Sequence, residues 1–373
     1  MNSSFSTRRD RLYDWMAREG VAMLMLEDTE GKRDPAVRWL SGQPGDALLF
    51  LSADKRCALV PWDINMAKMH ANAEAMVPYG EFERQPIKAA RALAEFFKIP
   101  SGSRVEIPAV TPYPIFLKFV EGLGDYDVLC RDGGASEEIA ALRAIKDEDE
   151  IRLYREASAK TNQVIDLLEK KLKAGAFATE TDIALYIEAI VRDKDCEGTG
   201  FETIAAGPTR SFGIHAVPAF TSNPFATQGL SILDFGLKYK GYTTDVTLTV
   251  CKGTLTKAQD RMVNLVKKAY ELALSQCMID FPTRELSLAV ESFFGKAKKT
   301  MPHSLGHGIG LEAHEAPWIR SRADNEWRLA AGMVFTLEPG LYDPVHGGCR
   351  LENDVLMTEK GPEVLTRSRI ITI

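Results

Sequence analysis

Two stretches of this sequence hold acidic residues where a β-hairpin would bring them together. Residues 231–250 form two β-prone runs around a polar turn. With Tyr239 and Lys240 as the loop, Lys238 pairs with Gly241, and counting outward sets Asp234 opposite Asp245 on one face. Directly opposed side chains have Cβ atoms about 5 Å apart, and like charges there destabilise the pair unless something positive lies between them. A metal ion would supply that charge. A loop differing by one residue would instead shift the register and leave both aspartates in solvent, and among 52 acidic residues such a spacing arises easily by chance. The second stretch repeats the arrangement. Residues 334–342 and 348–357 are β-prone around Asp343-Pro344-Val345-His346-Gly347, and the same count makes Glu338 meet Glu352. Val334-Phe335-Thr336-Leu337 before the one and Leu351 before the other point to burial, where an unpaired carboxylate is costly. Together the hairpins suggest four carboxylates sharing one metal cluster.

Three of the six histidines lie in the run His303-Ser304-Leu305-Gly306-His307-Gly308-Ile309-Gly310-Leu311-Glu312-Ala313-His314-Glu315. Its glycines disfavour a helix and let backbone approach closely, so an extended strand is expected, on which a spacing of four puts His303 and His307 on one side. His314, seven further on, needs a bend to converge with His307. Glu312 and Glu315 read as solvated or supporting groups rather than ligands, because the hairpins already supply enough oxygen donors. His215, in Gly213-Ile214-His215-Ala216-Val217-Pro218, stands alone, and a lone histidine is more often structural than functional.

The elements that must position these groups belong to a domain mixing helices with hairpins. Thr179 with Asp182, and Thr256 with Gln259, have the spacing of capping boxes and predict helices running to about Arg192 and Gln276. A charged helical stretch over 137–173 is broken near Lys146-Asp147, and the turn residues Arg131-Asp132-Gly133-Gly134 mark a boundary before it. The organisation expected is a small α/β domain over 1–135, a linker at 136–150 and a second domain over 151–373. In the first domain, 8–18 and 87–97 read as helices, while 21–27, 47–52 and 57–61 read as strands, the last two around a turn at Asp54-Lys55. Its one histidine, His70, has no cluster of polar groups around it, so no chemistry is expected there.

Composition excludes several classes. At 373 residues, 45% hydrophobic and 26% charged, the chain is ordinary for a globular protein, without repeats or low-complexity segments. Apolar runs such as 21–26 and 47–51 fall far short of the roughly 20 residues that span a bilayer. The N-terminal residues turn charged at once and read as no secretory leader. Six cysteines are scattered singly with no Cys-x-x-Cys pair, which fits reduced thiols and a cytoplasmic location. A net charge of -6 with dispersed Lys and Arg offers no footprint for nucleic acid or an anionic membrane surface, and leaves small or peptidic partners.

Taken together, Asp234 with Asp245, the run 306–314, Thr336-Leu337-Glu338-Pro339-Gly340 and Arg350-Leu351-Glu352-Asn353-Asp354 resemble the peptidase family of aminopeptidase P, prolidase and methionine aminopeptidase, over roughly residues 140–370. The resemblance implies an α+β architecture, with a C-terminal catalytic domain of the pita-bread (creatinase/aminopeptidase) type preceded by a smaller N-terminal α/β domain. It implies that Asp234 binds one metal ion, that Asp245 and Glu352 bridge two, and that His307 and Glu338 bind the other. His303, His314 and His215 match the family's catalytic and substrate-contacting histidines. Arg350 matches an arginine that supports the site on its substrate side, although an arginine anchoring a strand would read the same.

So oxygen-rich a ligand set suits Mn²⁺, with Co²⁺ or Zn²⁺ as alternatives. The family's reaction is hydrolysis of short peptides with proline after the cut. It would use hydroxide held between two ions, with Glu338 relaying the proton and His303 or His314 donating to the oxyanion. Methionine aminopeptidases lack a comparable N-terminal domain, and creatinase-like members lack the metal ligands that are all present here. The first expectation is therefore an Xaa-Pro aminopeptidase, the second an Xaa-Pro dipeptidase (prolidase) confined to dipeptides, and the third a non-catalytic relative that binds peptides. Ala36-Val37-Arg38-Trp39-Leu40-Ser41-Gly42 resembles the family, but Pro61-Trp62-Asp63-Ile64-Asn65 departs from its Asp-x-Arg-Tyr, which leaves the accepted peptide length open. A dipeptidase needs a cation for the free carboxylate of proline, and Arg320, Arg322 and Arg328 are the candidates. The family also implies a homodimer.

Overall fold

In the computed structural model, which describes residues 3–225 and 227–373, the alternating pattern of the first half produces a six-stranded sheet. The strands lie in the order Ala75–Met76, Arg56–Pro61, Ala47–Ser52, Val21–Asp28, Arg104–Glu106, Asp127–Leu129. The central three are antiparallel and the outer ones join in parallel. Ala47–Ser52 is buried along its whole length, as a near-continuous apolar run demands. The turn expected at Asp54-Lys55 is there, with Lys55 at φ 68°. The predicted helices form as Ser3–Glu19, longer than expected, and Pro86–Phe96, whose proline sits in the first turn where its missing N–H costs nothing.

The chain folds as two units, one spanning residues 1–142 and the other 143–373. The stretch read as a linker, 136–150, is largely helical: it holds most of Ala135–Ala144 and the capped start of Glu148–Lys173.

In the second unit the capping boxes act as the spacing predicts. Thr179 and Thr256 accept from the N–H groups of Asp182 and Gln259, whose side chains bond back, and these boxes start the helices Glu180–Arg192 and Lys257–Gln276. A third box, Asp147 with Glu150, starts Glu148–Lys173 at the predicted break. A four-stranded sheet, ordered Ile370–Thr372, Val246–Lys252, Gly229–Phe235, Ile204–Ala206, shares its core with Glu148–Lys173 and Glu180–Arg192. A five-stranded sheet, ordered Glu315–Ile319, Gly306–Gly308, Val334–Leu337, Asn353–Thr358, Gly361–Val364, shares its core with Lys257–Gln276 and Thr283–Lys296. A bridge between Thr247 and Glu352 connects the two sheets, so the acidic hairpins meet at this seam. Among the described residues no helix is long and apolar enough to cross a membrane.

Candidate metal centre

The first hairpin turns at Lys240 and Gly241, both at positive φ (49° and 91°), which is the backbone a two-residue hairpin loop of the primed type requires. Its last pair is therefore Tyr239 with Tyr242, and Asp234 faces Thr247 rather than Asp245. The expected loop was one residue too early, which moves every partner by two. Because side chains alternate with a period of two, an even shift keeps the face: Asp245 becomes the diagonal neighbour of Asp234, and both line one cavity. Each is buried and leaves its Oδ1 without a hydrogen-bond partner.

The second hairpin keeps the predicted register. Leu337 pairs with Asn353 and Gly340 with Arg350, so Glu338 and Glu352 stand opposite between them. Their backbones part at this point: Glu338 N donates to Leu305 O at 2.9 Å, while Glu352 N donates to Thr247 O at 3.4 Å. The split aims both side chains into the same cavity from two sheets.

His307 enters on the short strand Gly306–Gly308. The glycines allow the close approach expected of them, since a Cβ at Gly306 would strike Thr336 O and one at Gly310 the Glu315 carboxylate. The chain bends after Gly308, and the rings of His307 and His314 come within 4.2 Å between centroids. Glu315 supports that bend as a buried carboxylate holding Arg143 and Lys146 (2.9 Å), while Glu312 is exposed and also reaches Arg143. Neither glutamate lines the cavity.

Proton positions follow from the partners. His307 Nδ1 lies 3.1 Å from Gly308 O, and a carbonyl only accepts, so Nδ1 carries the proton and Nε2 presents a lone pair. That lone pair lies 3.4 Å from Glu338 Oε1 and 3.9 Å from Asp245 Oδ2. Burial, then the neighbouring His314, lowers the imidazole pKa to about 3, so the ring is neutral at neutral pH and brings no positive charge to these carboxyls. Burial and mutual repulsion push the carboxyls of Asp245, Glu338 and Glu352 upward. Unpartnered aspartate oxygens, a lone pair aimed at carboxylates and acids that raise one another's pKa describe a hole shaped for cations. Asp245, His307 and Glu352 offer ligand atoms all within 4.8 Å of one another.

His303 is held as the Nδ1–H tautomer by Ser304 O (2.8 Å), and its Nε2 accepts from the Tyr342 hydroxyl (3.0 Å). Burial, then the nearby Arg350, lowers its pKa to about 4. With both nitrogens engaged, it has no N–H left for an oxyanion, although Nδ1 stays 3.7 Å from Glu338 Oε2. His314 and His215 are exposed on the cavity wall, and burial followed by His215 lowers the pKa of His314. Arg350 is buried behind the cavity rather than lining it. It donates to Asp234 Oδ2 (2.5 Å), Thr247 Oγ1 (2.8 Å), Tyr342 OH (2.7 Å) and Ile214 O (2.9 Å). Thr247 passes the order on by donating to Glu352 Oε2 at 2.6 Å, and Asp354 fixes the Asp245 backbone N–H (3.2 Å to each oxygen).

The cavity, of about 280 Å³, thus gathers eight of the nine predicted residues, with Phe201, Ile204, Ile214 and Trp318 as apolar wall. Thr247, Tyr342 and Asp354 escaped the sequence reading. Thr247 and Asp354 lie two residues beyond Asp245 and Glu352, hence on the same faces, and that alternation was the available signal; Tyr342 had none.

Residues 152–359 match metallopeptidase family M24. An Xaa-Pro dipeptidase of Pyrococcus horikoshii is 27% identical over 343 residues, 90% of this chain and 91% of that one. Among solved structures, an Xaa-Pro dipeptidase from Bacillus anthracis superposes with a TM-score of 0.86 at 23% identity, covering 99% and 100% of the two chains. An X-Pro aminopeptidase from Thermotoga maritima does so with a TM-score of 0.84 at 25% identity, covering 98% and 99%. The expected pita-bread architecture with its N-terminal domain is therefore the observed one.

Proposed function

This chain belongs to metallopeptidase family M24, and from that premise we propose that it is an Xaa-Pro dipeptidase, cleaving the bond between an amino-terminal residue and a C-terminal proline. Asp234, Asp245, His307, Glu338 and Glu352 would hold two divalent ions, Mn²⁺ by the hardness of the set, with Co²⁺ or Zn²⁺ as alternatives. When bound, such ions supply Lewis-acid polarisation of the scissile carbonyl and water that ionises near neutral pH. The chain's own residues do the rest. Glu338 takes a proton from the attacking water and returns it to the prolyl nitrogen, His314 donates to the carbonyl oxygen, and Ile204 and Ile214 shield the site from bulk water. Arg350 and Tyr342 hold Asp234 and His303 in place.

Arg320 carries the preference for a dipeptide. Of the three candidate arginines, Arg322 pairs with Asp324 (2.9 Å) and Arg328 with Asp280 (2.6 Å). Arg320 has no acidic partner among the described residues. Its Nε is buried without a hydrogen bond, and its guanidinium stacks 5.3 Å from the Trp318 ring, which lines both the main cavity and the hollow beside it. The Pyrococcus relative supports the same choice over the aminopeptidase expected first, while the Thermotoga structure keeps the aminopeptidase as the second reading.

The deciding experiment is hydrolysis of Ala-Pro beside Ala-Pro-Ala by chelator-stripped protein, with and without Mn²⁺. Metal-dependent cleavage of the dipeptide alone is expected; cleavage of both would make the enzyme an aminopeptidase, and cleavage of neither would leave a peptide-binding relative. In the same assay Arg320→Ala should raise KM for Ala-Pro about 10- to 100-fold at little cost in kcat, the loss of a charge-assisted hydrogen bond to the carboxylate. An unchanged KM would remove Arg320 from the site.

A further inference from the structure

After the strand Ile204–Ala206, residues 207–221 form neither helix nor strand and carry Ile214 and His215 into the cavity wall. A segment without its own ladder must find partners elsewhere for its backbone. Here both ends find the same one. Glu180, in the first turn of Glu180–Arg192, is fully buried. Its Oε1 accepts from Gly207 N (2.8 Å) at the start of the loop, and its Oε2 accepts from Thr221 N (2.8 Å) and Thr221 Oγ1 (2.6 Å) at the end. Oε2 also accepts from Arg210 Nη1 (3.1 Å), and the other arm of Arg210 donates to Pro218 O, so the carboxylate reaches the middle of the loop through that guanidinium. At Gly207 a Cβ would lie 2.6 Å from Pro224 O, so the chain passes Glu180 there only as glycine.

A buried carboxylate is tolerated only when hydrogen bonds replace its water, and four donors on one group closing one loop meet that condition. Its place in the first turn of a helix adds the favourable end of the helix dipole. Across the loop, Arg350 holds Ile214 O at 2.9 Å, so the wall is tied to the acidic cluster on one side and to Glu180 on the other. Glu180 lines no part of the cavity.

We propose that Glu180, with Arg210, is a positioning residue for substrate: it closes the 207–221 loop and thereby sets the place of Ile214 and His215 against the bound peptide. The proposal rests on the reading of the cavity as a peptidase site. Glu180→Gln keeps the shape but turns an amide NH₂ toward groups that are themselves donors, so one end of the loop or Arg210 is released.

The test combines amide hydrogen exchange with kinetics on metal-loaded protein. In Glu180→Gln, exchange in 207–221 should quicken about tenfold while the strands 229–235 and 246–252 keep wild-type protection. KM for Ala-Pro should rise about tenfold with kcat within about twofold, and in a His215→Ala background the same substitution should change KM by less than about twofold, because its effect runs through that loop. Arg210→Met should reproduce a smaller share of each effect and Arg210→Lys should restore part of it; this pair decides the matter if Glu180→Gln does not fold. Unchanged loop exchange, uniform loss of protection, or a KM effect that multiplies fully with His215→Ala would overturn the proposal. If the wild type cleaves no Xaa-Pro peptide, the functional reading fails, and with it the substrate part of the proposal, while the exchange arm still decides whether Glu180 closes the loop.

Discussion

Glu338→Gln is expected to yield a folded protein that hydrolyses Ala-Pro about 10³-fold more slowly than the wild type, within the span general acid–base catalysis usually commands. The main chain there does not depend on the side chain: Glu338 N is bonded to Leu305 O, and the flanking pairs Leu337 with Asn353 and Gly340 with Arg350 hold the register. Glutamine fills the same volume, so packing survives. What disappears is a group that faces His307 Nε2 at 3.4 Å and His303 Nδ1 at 3.7 Å, and whose carboxyl is pushed up by burial and by Glu352, so that it holds a proton more readily than an ordinary glutamate; the amide can neither take a proton nor return it. Circular dichroism melting alongside kcat checks both halves. Wild-type turnover by a well-folded Glu338→Gln would take the residue out of the mechanism. His303→Ala is expected to fail for a different reason: it removes the acceptor of the Tyr342 hydroxyl, and with it the order that Arg350 passes to this side of the cavity.

The second hairpin was legible because its count is symmetric. Whether five residues or three make the turn, the pairing of Tyr342 with Gly348 leaves Glu338 opposite Glu352, and the structure merely adds the pair Asp343 with Gly347. The first hairpin was misread because Lys240 takes a positive φ that lysine rarely adopts, and Gly241, the stronger cue, fell outside the assumed loop. The error was harmless to the site only because it was even; an odd shift would have sent Asp234 and Asp245 to opposite faces. The spacing of seven residues demands a bend between His307 and His314 but carries no sign of what makes it. Its cause is tertiary: Glu315 anchors on Arg143 and Lys146, far back in the chain. The arrangement around His215 was out of reach in the same way. Glu180 is one acid among 52, and nothing local to it says that it will close a loop.

Metal-free protein is expected to lose thermal stability between about pH 6.5 and 8.5, and metal-loaded protein to keep it. The carboxyls of Asp245, Glu338 and Glu352 are raised by burial and by one another, so the folded chain retains protons that the unfolded chain gives up near the usual carboxylate value of about 4. A group raised on folding contributes stability that is full below its unfolded value and is lost as pH climbs through its folded one. The histidines oppose this at lower pH. His303 and His307 stay neutral in the fold, with values of about 4 and about 3, while the unfolded chain protonates them below about 6.5, so their contribution grows with pH up to that point and then stops. Above it the carboxyls raised on folding set the slope, Asp354 behind the cluster included, with the buried thiols joining in the same sense near its upper end, and each excess proton held by the folded state is worth about 1.4 kcal/mol per pH unit. One such proton over this window corresponds to a fall in Tm of roughly 5 °C. Cations in the cluster replace those protons and cancel the repulsion, so the difference in Tm between Mn²⁺-loaded and chelated protein should widen steadily from the lower pH to the higher. A chelated protein whose Tm stays level or rises across the window would mean that the carboxylates are already ionised and compensated without metal, and the cation hole inferred from Asp234, Asp245, His307, Glu338 and Glu352 would not exist.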